Sequence, residues 1–173
     1  MKLRLHIINY LMAQLKYRML GLIRRKGFAM EVVLSKLILE GRYTEAEEIL
    51  IRVCADEQRK AIMSMAYDSE SIVVYSFLRY MVEKYKTQYW LELIIDVMIN
   101  PLCFIEGAYS IALFHARELL EMNFCISNLE RILFFFNIPE KLVGDIEAEL
   151  VAKAMIEIEP GNVVALEILK NMT

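Results

Sequence analysis

The chain reads Gly41-Arg42-Tyr43-Thr44-Glu45-Ala46 at one point and Gly107-Ala108-Tyr109-Ser110-Ile111-Ala112 at another. Both stretches fit the pattern Gly-x-Tyr-x-x-Ala. The Gly allows one helix to turn sharply into the next, the Tyr packs into the corner, and the Ala lets two helices cross closely. A looser third copy keeps Gly144, Ala148 and Pro160. The pattern therefore predicts helical hairpins that repeat along the chain.

Helical periodicity extends outward from these corners over almost the whole chain. Apolar residues recur at intervals of three and four, beginning with a long helix over residues 2–23. Capping boxes are predicted at Thr44 and Ser127, and Thr87 is predicted to cap a third helix. We expect an all-α fold of nine or ten helices, with antiparallel hairpins stacked as an array. The prediction is a single domain over 1–173, in which residues 1–26 form a long basic first helix and 28–173 form the hairpins.

The composition supports a helical protein and excludes several other classes. Apolar types make up 57 % of the 173 residues, and there are only 6 Gly and 3 Pro. Disordered chains and multi-stranded β-sandwiches need more polar or turn-forming residues than this. The chain also lacks a Gly-rich loop that could hold a phosphate group.

The charge of the chain is strongly divided. Residues 1–30 contain seven Lys and Arg and no acid, whereas the remainder carries 13 bases and 23 acids. Such a division marks either docking of one region on the other or a binding face. The residues expected to bind a partner are Lys2, Arg4, Arg24, Arg25, Lys26, Asp68, Glu70 and Glu140.

Cysteine usage and hydropathy favour a cytoplasmic protein. Cys54, Cys103 and Cys125 are odd in number and widely spaced, which argues against a disulfide framework. The basic N-terminal region lacks the features of a signal peptide, and no stretch approaches the roughly 20 apolar residues of a membrane span. We therefore expect no stable insertion into a membrane.

The sequence contains no motif that is typical of catalysis or of metal binding. His6 and His115 have no partner at the spacing of metal ligands. A pair formed by Cys125 and His115 would need the fold to bring them together. The sequence therefore predicts no catalytic residue, no cofactor and no metal, and a protein that is not an enzyme.

The repeated pattern resembles the tetratricopeptide repeat, a helical hairpin of 34 residues. Its turn Gly, turn aromatic and second-helix Ala match Gly41, Tyr43 and Ala46, and then Gly107, Tyr109 and Ala112. The third copy keeps Ala148 and the terminal Pro160, but the aromatic expected four residues after the Ala is absent from all three copies. The resemblance implies stacked hairpins with a surface that binds a peptide or a protein domain.

A second resemblance gives a more concrete expectation. The segments 67–75, which is polar and then apolar, and 135–142 are similar to parts of small helical immunity proteins that bacteria carry beside polymorphic toxins. That resemblance implies a cytoplasmic protein that binds and neutralises one toxin domain, with no catalysis of its own. We expect no nucleic acid among its partners. The alternatives are a protein that binds a membrane surface or an anionic polymer through its basic N-terminal helix, and a repeat-type chaperone or adaptor. So apolar a chain is also compatible with a homodimer.

Overall fold

A computed structural model describes residues 30–172 of the chain, and this part is all-α. It contains nine helices and no strand within the described residues. The predicted helix over residues 2–23 lies outside them. The helices are α1 over residues 30–39, α2 Tyr43–Leu50, α3 Ala55–Ser69, α4 Val73–Tyr85, α5 Gln88–Ile99, α6 Ala108–Met122, α7 Ile126–Asn137, α8 Asp145–Ile158 and α9 Val163–Asn171.

The chain divides into two compact units at Ala61 and Ile62, inside α3. The first unit contains α1, α2 and the beginning of α3, and the second unit contains the rest of α3 and the helices from α4 to α9. The sequence pattern predicts one domain over 1–173.

The corner between α1 and α2 shows why Gly41 is needed. Gly41 has a φ of +74°, a conformation that favours glycine because other residues bring their Cβ close to the backbone. Its N–H donates to the Ile38 carbonyl at 3.0 Å, and the Arg42 N–H donates to the Leu37 carbonyl at 2.9 Å. These two bonds form a Schellman motif, which satisfies the carbonyls at the end of α1.

The two predicted capping boxes are wrong. α2 begins at Tyr43, because the chain leaves the Gly41 corner already in position to start a helix, so Arg42 takes the N-cap position. In α7 the N-cap is Cys125, whose backbone is extended. Thr44 and Ser127 are therefore the second residues of their helices, and neither N-cap side chain accepts a capping hydrogen bond.

A side-chain cap is found instead at α9. The Asn162 Oδ1 accepts a hydrogen bond from the Ala165 N–H at 3.1 Å. Thr87 does occupy the N-cap position of α5, as predicted, although its side chain makes no capping bond. The α4 helix begins at Val73, because α3 continues through Ser69 and Glu70 then adopts a φ of +50°.

In the second unit, the helices from α4 to α9 pack on their neighbours along the chain, and the largest contact joins α5 and α6. The most enclosed of them is α5, whose buried residues cover more than half of its circumference, with Glu92 and Asp96 on the remaining side. A helix with so wide an apolar face is stable only when several other elements cover it. The core of this unit is therefore centred on α5 and its neighbours.

Polar contacts join alternate helices of the second unit. Tyr75 of α4 contacts His115 of α6, and Arg117 of α6 contacts Glu147 of α8. On the other side, Arg131 of α7 lies 3.7 Å from the carboxylate of Asp96 in α5. These contacts place α4, α6 and α8 in one row and α5 and α7 in a second row.

Candidate functional site

The residues predicted to bind a partner are only partly within the described region. Lys2, Arg4, Arg24, Arg25 and Lys26 lie outside residues 30–172. The other three are exposed acids: Asp68 in the last turn of α3, Glu70 directly after α3, and Glu140 in the turn between α7 and α8. No hydrogen bond or ion pair among the described residues joins Glu140 to the other two. Their role in binding stays a prediction.

The predicted repeat corners have distinct geometries. Gly107 has a φ of +80°, like Gly41, whereas Gly144 has a φ of −78° and is the N-cap of α8. Ala46, Ala112 and Ala148 are fully buried, as expected for close helix crossings. The ring of Tyr109 lies 6.5 Å from that of Phe134 in α7, so this aromatic packs between consecutive helices. The third corner therefore shares the buried alanine but not the left-handed turn.

A buried polar cluster surrounds His115 and brings several ionisable groups together. The ring of His115 is fully buried. Its Nδ1 lies 2.5 Å from Glu118 Oε2, and its Nε2 lies 3.2 Å from the Tyr75 hydroxyl. The Arg79 guanidinium lies 3.5 Å from the same Glu118 oxygen. A neutral ring that donates from Nδ1 and accepts at Nε2 satisfies every one of these contacts.

The electrostatics of this cluster favour the neutral ring. Burial lowers the pKa of His115, and the nearby Glu118 carboxylate opposes that effect only in part. Burial also raises the pKa of the Tyr75 hydroxyl, so that group stays protonated at neutral pH. Because both ring nitrogens are occupied, His115 is not available as a base for another residue. The arrangement joins α4 to α6.

Cys125 is the residue whose thiol was considered, from the sequence, as a partner for His115. Its Sγ lies 3.2 Å from the Ser127 hydroxyl at the start of α7. That hydroxyl and the Asn128 N–H lower the pKa of the thiol. The His115 nitrogens, however, are bonded to Tyr75 and Glu118, so the described geometry forms no Cys–His pair.

The described part of the chain contains neither a cluster of metal-binding side chains nor a helix that could span a membrane. Residues 30–172 hold no group of three or more His, Cys, Asp or Glu side chains placed to bind a metal ion. Within the same residues, every helix is too short or too polar to cross a bilayer.

The feature with the clearest capacity for binding is a surface formed by α6 and α8, which we call the outer face. It consists of the residues that point away from the core: Ser110, Phe114, Arg117 and Glu121 on α6, and Ile146, Leu150, Lys153 and Glu157 on α8. Three of its large apolar side chains are more than half exposed: Phe114 at 57 %, Ile146 at 78 % and Leu150 at 63 %. The Arg117–Glu147 ion pair, at 2.9 Å, joins the two helices beside this face.

The two rows of the outer face follow one pattern. Each residue on α8 lies 36 positions after its counterpart on α6, the same interval that separates Ala112 from Ala148. At this interval Phe114 corresponds to Leu150, Arg117 to Lys153, and Glu121 to Glu157. Sequence reasoning missed this face, because the 36-residue interval pairs its positions on the two helices but does not show that they are exposed.

Comparison of the chain with protein-family models, with curated proteins and with solved structures found no match.

Proposed function

We propose that this chain is a non-enzymatic protein-binding module, built from tetratricopeptide-like helical hairpins, and that it binds its partner through the outer face. The observation that carries the proposal is the exposure of Phe114, Ile146 and Leu150 on two neighbouring helices. Single exposed apolar residues are common, but a group of large ones on one face is typical of an interaction site. Burying such anchors supplies most of the binding free energy at protein interfaces.

The concrete form of the proposal is an immunity-type protein, located in the cytoplasm of a bacterium, that binds and occludes a toxin domain. The resemblance of residues 67–75 and 135–142 to such proteins supports this form. An occluding protein needs a surface that is complementary to its target and needs no chemistry of its own. The His115 cluster, in which both ring nitrogens are bonded, agrees with that requirement.

The experiment compares capture of partners by three forms of the chain. The outer-face variant carries Phe114→Ser and Leu150→Ser. The matched control carries Phe104→Ser, because Phe104 is also exposed, at 60 %, but lies in the turn before α6. We expect wild type and control to capture the same protein from the native host, and the outer-face variant to lose it by at least tenfold in affinity.

The immunity-type form has its own readout. The captured partner, expressed alone, should arrest growth, and co-expression of wild type but not of the outer-face variant should restore it. Equal capture by the outer-face variant, with the fold intact by circular dichroism, would contradict the proposed face. A partner without any toxicity would contradict the immunity-type form, whereas the proposal that the chain is a protein-binding module would still hold.

A further inference from the structure

The outer face carries two bases and two acids, and the bases are paired with acids that lie outside the face. The bases are already neutralised by acids of their own chain: Arg117 pairs with Glu147 at 2.9 Å, and Lys153 pairs with Glu149 at 2.6 Å. Both pairs lie at the surface, so they add little stability, but each removes a positive charge from the face.

The two acids of the face lack such partners. Glu121 and Glu157 are exposed, and neither forms an ion pair with any residue of 30–172. They occupy equivalent positions on α6 and α8. In each helix the carboxylate follows the apolar anchor by seven residues, which is two turns or about 10 Å along the axis.

We infer that the outer face recognises a basic, amphipathic protein segment, whose apolar side chains cover Phe114 and Leu150 and whose Lys or Arg side chains meet Glu121 and Glu157. The inference rests on the proposed function and names the chemistry of the partner. A helix with Leu and Lys residues seven positions apart has the same spacing as each row of the face. Charge complementarity of this kind selects the partner and speeds its association.

The surrounding charge supports a basic partner over an anionic one. Residues 31–173 carry 13 Lys and Arg against 23 Asp and Glu. An anionic lipid surface or a nucleic acid would meet repulsion at Glu121 and Glu157 instead of complementary charge. A basic protein segment is favoured by both the local and the net charge.

The test measures binding of two synthetic amphipathic peptides to the full chain by fluorescence anisotropy. Both peptides have about 18 residues, which is enough to form a helix on the surface of the protein. One face of each helix consists of Leu, and the other face consists of Lys in one peptide and of Glu in the other. The acid variant carries Glu121→Gln and Glu157→Gln. The control variant carries Glu106→Gln and Glu130→Gln, which remove the same charge from exposed positions outside the face.

We expect the affinity of the Lys peptide for the control variant to lie within a factor of about two of its affinity for wild type. Its affinity for the acid variant should be at least tenfold weaker than for wild type. Its affinity for wild type should also fall as salt is added. Equal affinity for the Glu peptide, equal loss in the control variant, or no binding of the Lys peptide to wild type would overturn the inference. Binding of phosphatidylserine vesicles or of a DNA oligonucleotide that is lost in the outer-face variant would overturn it as well.

The outcomes separate this inference from the proposed function. If the inference fails while capture of the native partner still depends on Phe114 and Leu150, the face binds a protein of different charge. If capture does not depend on those residues, the proposed face itself is wrong.

Discussion

At the scale of single residues, His115 contributes to stability in a way that depends on its protonation. Its ring is fully buried and bonded at both nitrogens, and burial lowers its pKa below the ordinary value of 6.5. The unfolded chain therefore binds a proton at a pH where the folded chain does not. The contribution is present above about pH 6.5 and is lost as the pH falls below it.

This predicts a difference in pH dependence between wild type and His115→Gln. Gln keeps a donor and an acceptor but does not titrate. Between about pH 7.5 and pH 5.5, the free energy of unfolding of wild type should fall by more than that of the variant. Urea denaturation at several pH values measures both. If the free energy of unfolding depends on pH in the same way in both proteins, His115 is not the titrating group. Because His6 is present in both proteins, its titration does not contribute to the difference between them.

The buried alanines give a second prediction at this scale. Ala112 is fully buried, so Ala112→Leu has to force the neighbouring helices apart. The expected cost is about 1–3 kcal/mol, or a fall of several degrees in melting temperature. Ser110→Leu adds the same side chain on the exposed outer face and should change stability by about 0.5 kcal/mol or less. Thermal denaturation of both variants gives the comparison, and equal tolerance would place Ala112 away from a close crossing.

At the scale of helices, the start of α9 depends on its cap. The Asn162 Oδ1 accepts the Ala165 N–H, whereas Thr44, inside the first turn of α2, does not occupy a cap position. Asn162→Ala should therefore lower the free energy of unfolding by about 1 kcal/mol, and Thr44→Ala by much less. Hydrogen exchange at the start of α9 should increase in the first variant only. Equal effects would mean that the cap does not stabilise α9.

The helices themselves could largely be predicted from the sequence, because apolar periodicity and the turn residues act locally. The end of α5 before Pro101 and the left-handed Gly41 and Gly107 follow from single residue types. The capping-box predictions were wrong because the same sequence patterns, Thr44-x-x-Glu47 and Ser127-x-x-Glu130, also fit a helix that starts two residues earlier. The chain path into the helix decides between these registers, and that path depends on the corner before it.

The candidate site was less accessible to sequence reasoning. Phe and Leu are residue types that usually lie in a protein core. Only the packing of α6 and α8 shows that Phe114 and Leu150 face outward. Likewise, His115 and Tyr75 are 40 positions apart, and no local signal joins them. Exposure and long-range pairing are properties of the assembled helices.

At the scale of the whole molecule, the division of charge makes a prediction about membranes. The alternative function assigns membrane binding to the seven bases of residues 1–30. Each could add about 1 kcal/mol of attraction to an anionic surface, but the acidic remainder of the chain opposes it. We expect no appreciable co-sedimentation of the full chain with phosphatidylserine liposomes at physiological salt. Co-sedimentation that persists at this salt would favour the membrane-binding alternative over the immunity-type form.

The order in which the helices of the second unit pack has a kinetic consequence. Since the helices from α4 to α9 pack on their neighbours along the chain, most contacts between them join segments that are close in sequence. The entropy lost in closing loops before these contacts form is therefore small. Helical proteins whose contacts are mostly local fold within microseconds to milliseconds. We therefore expect this part of the chain to acquire its structure while it is still emerging from the ribosome, one hairpin at a time.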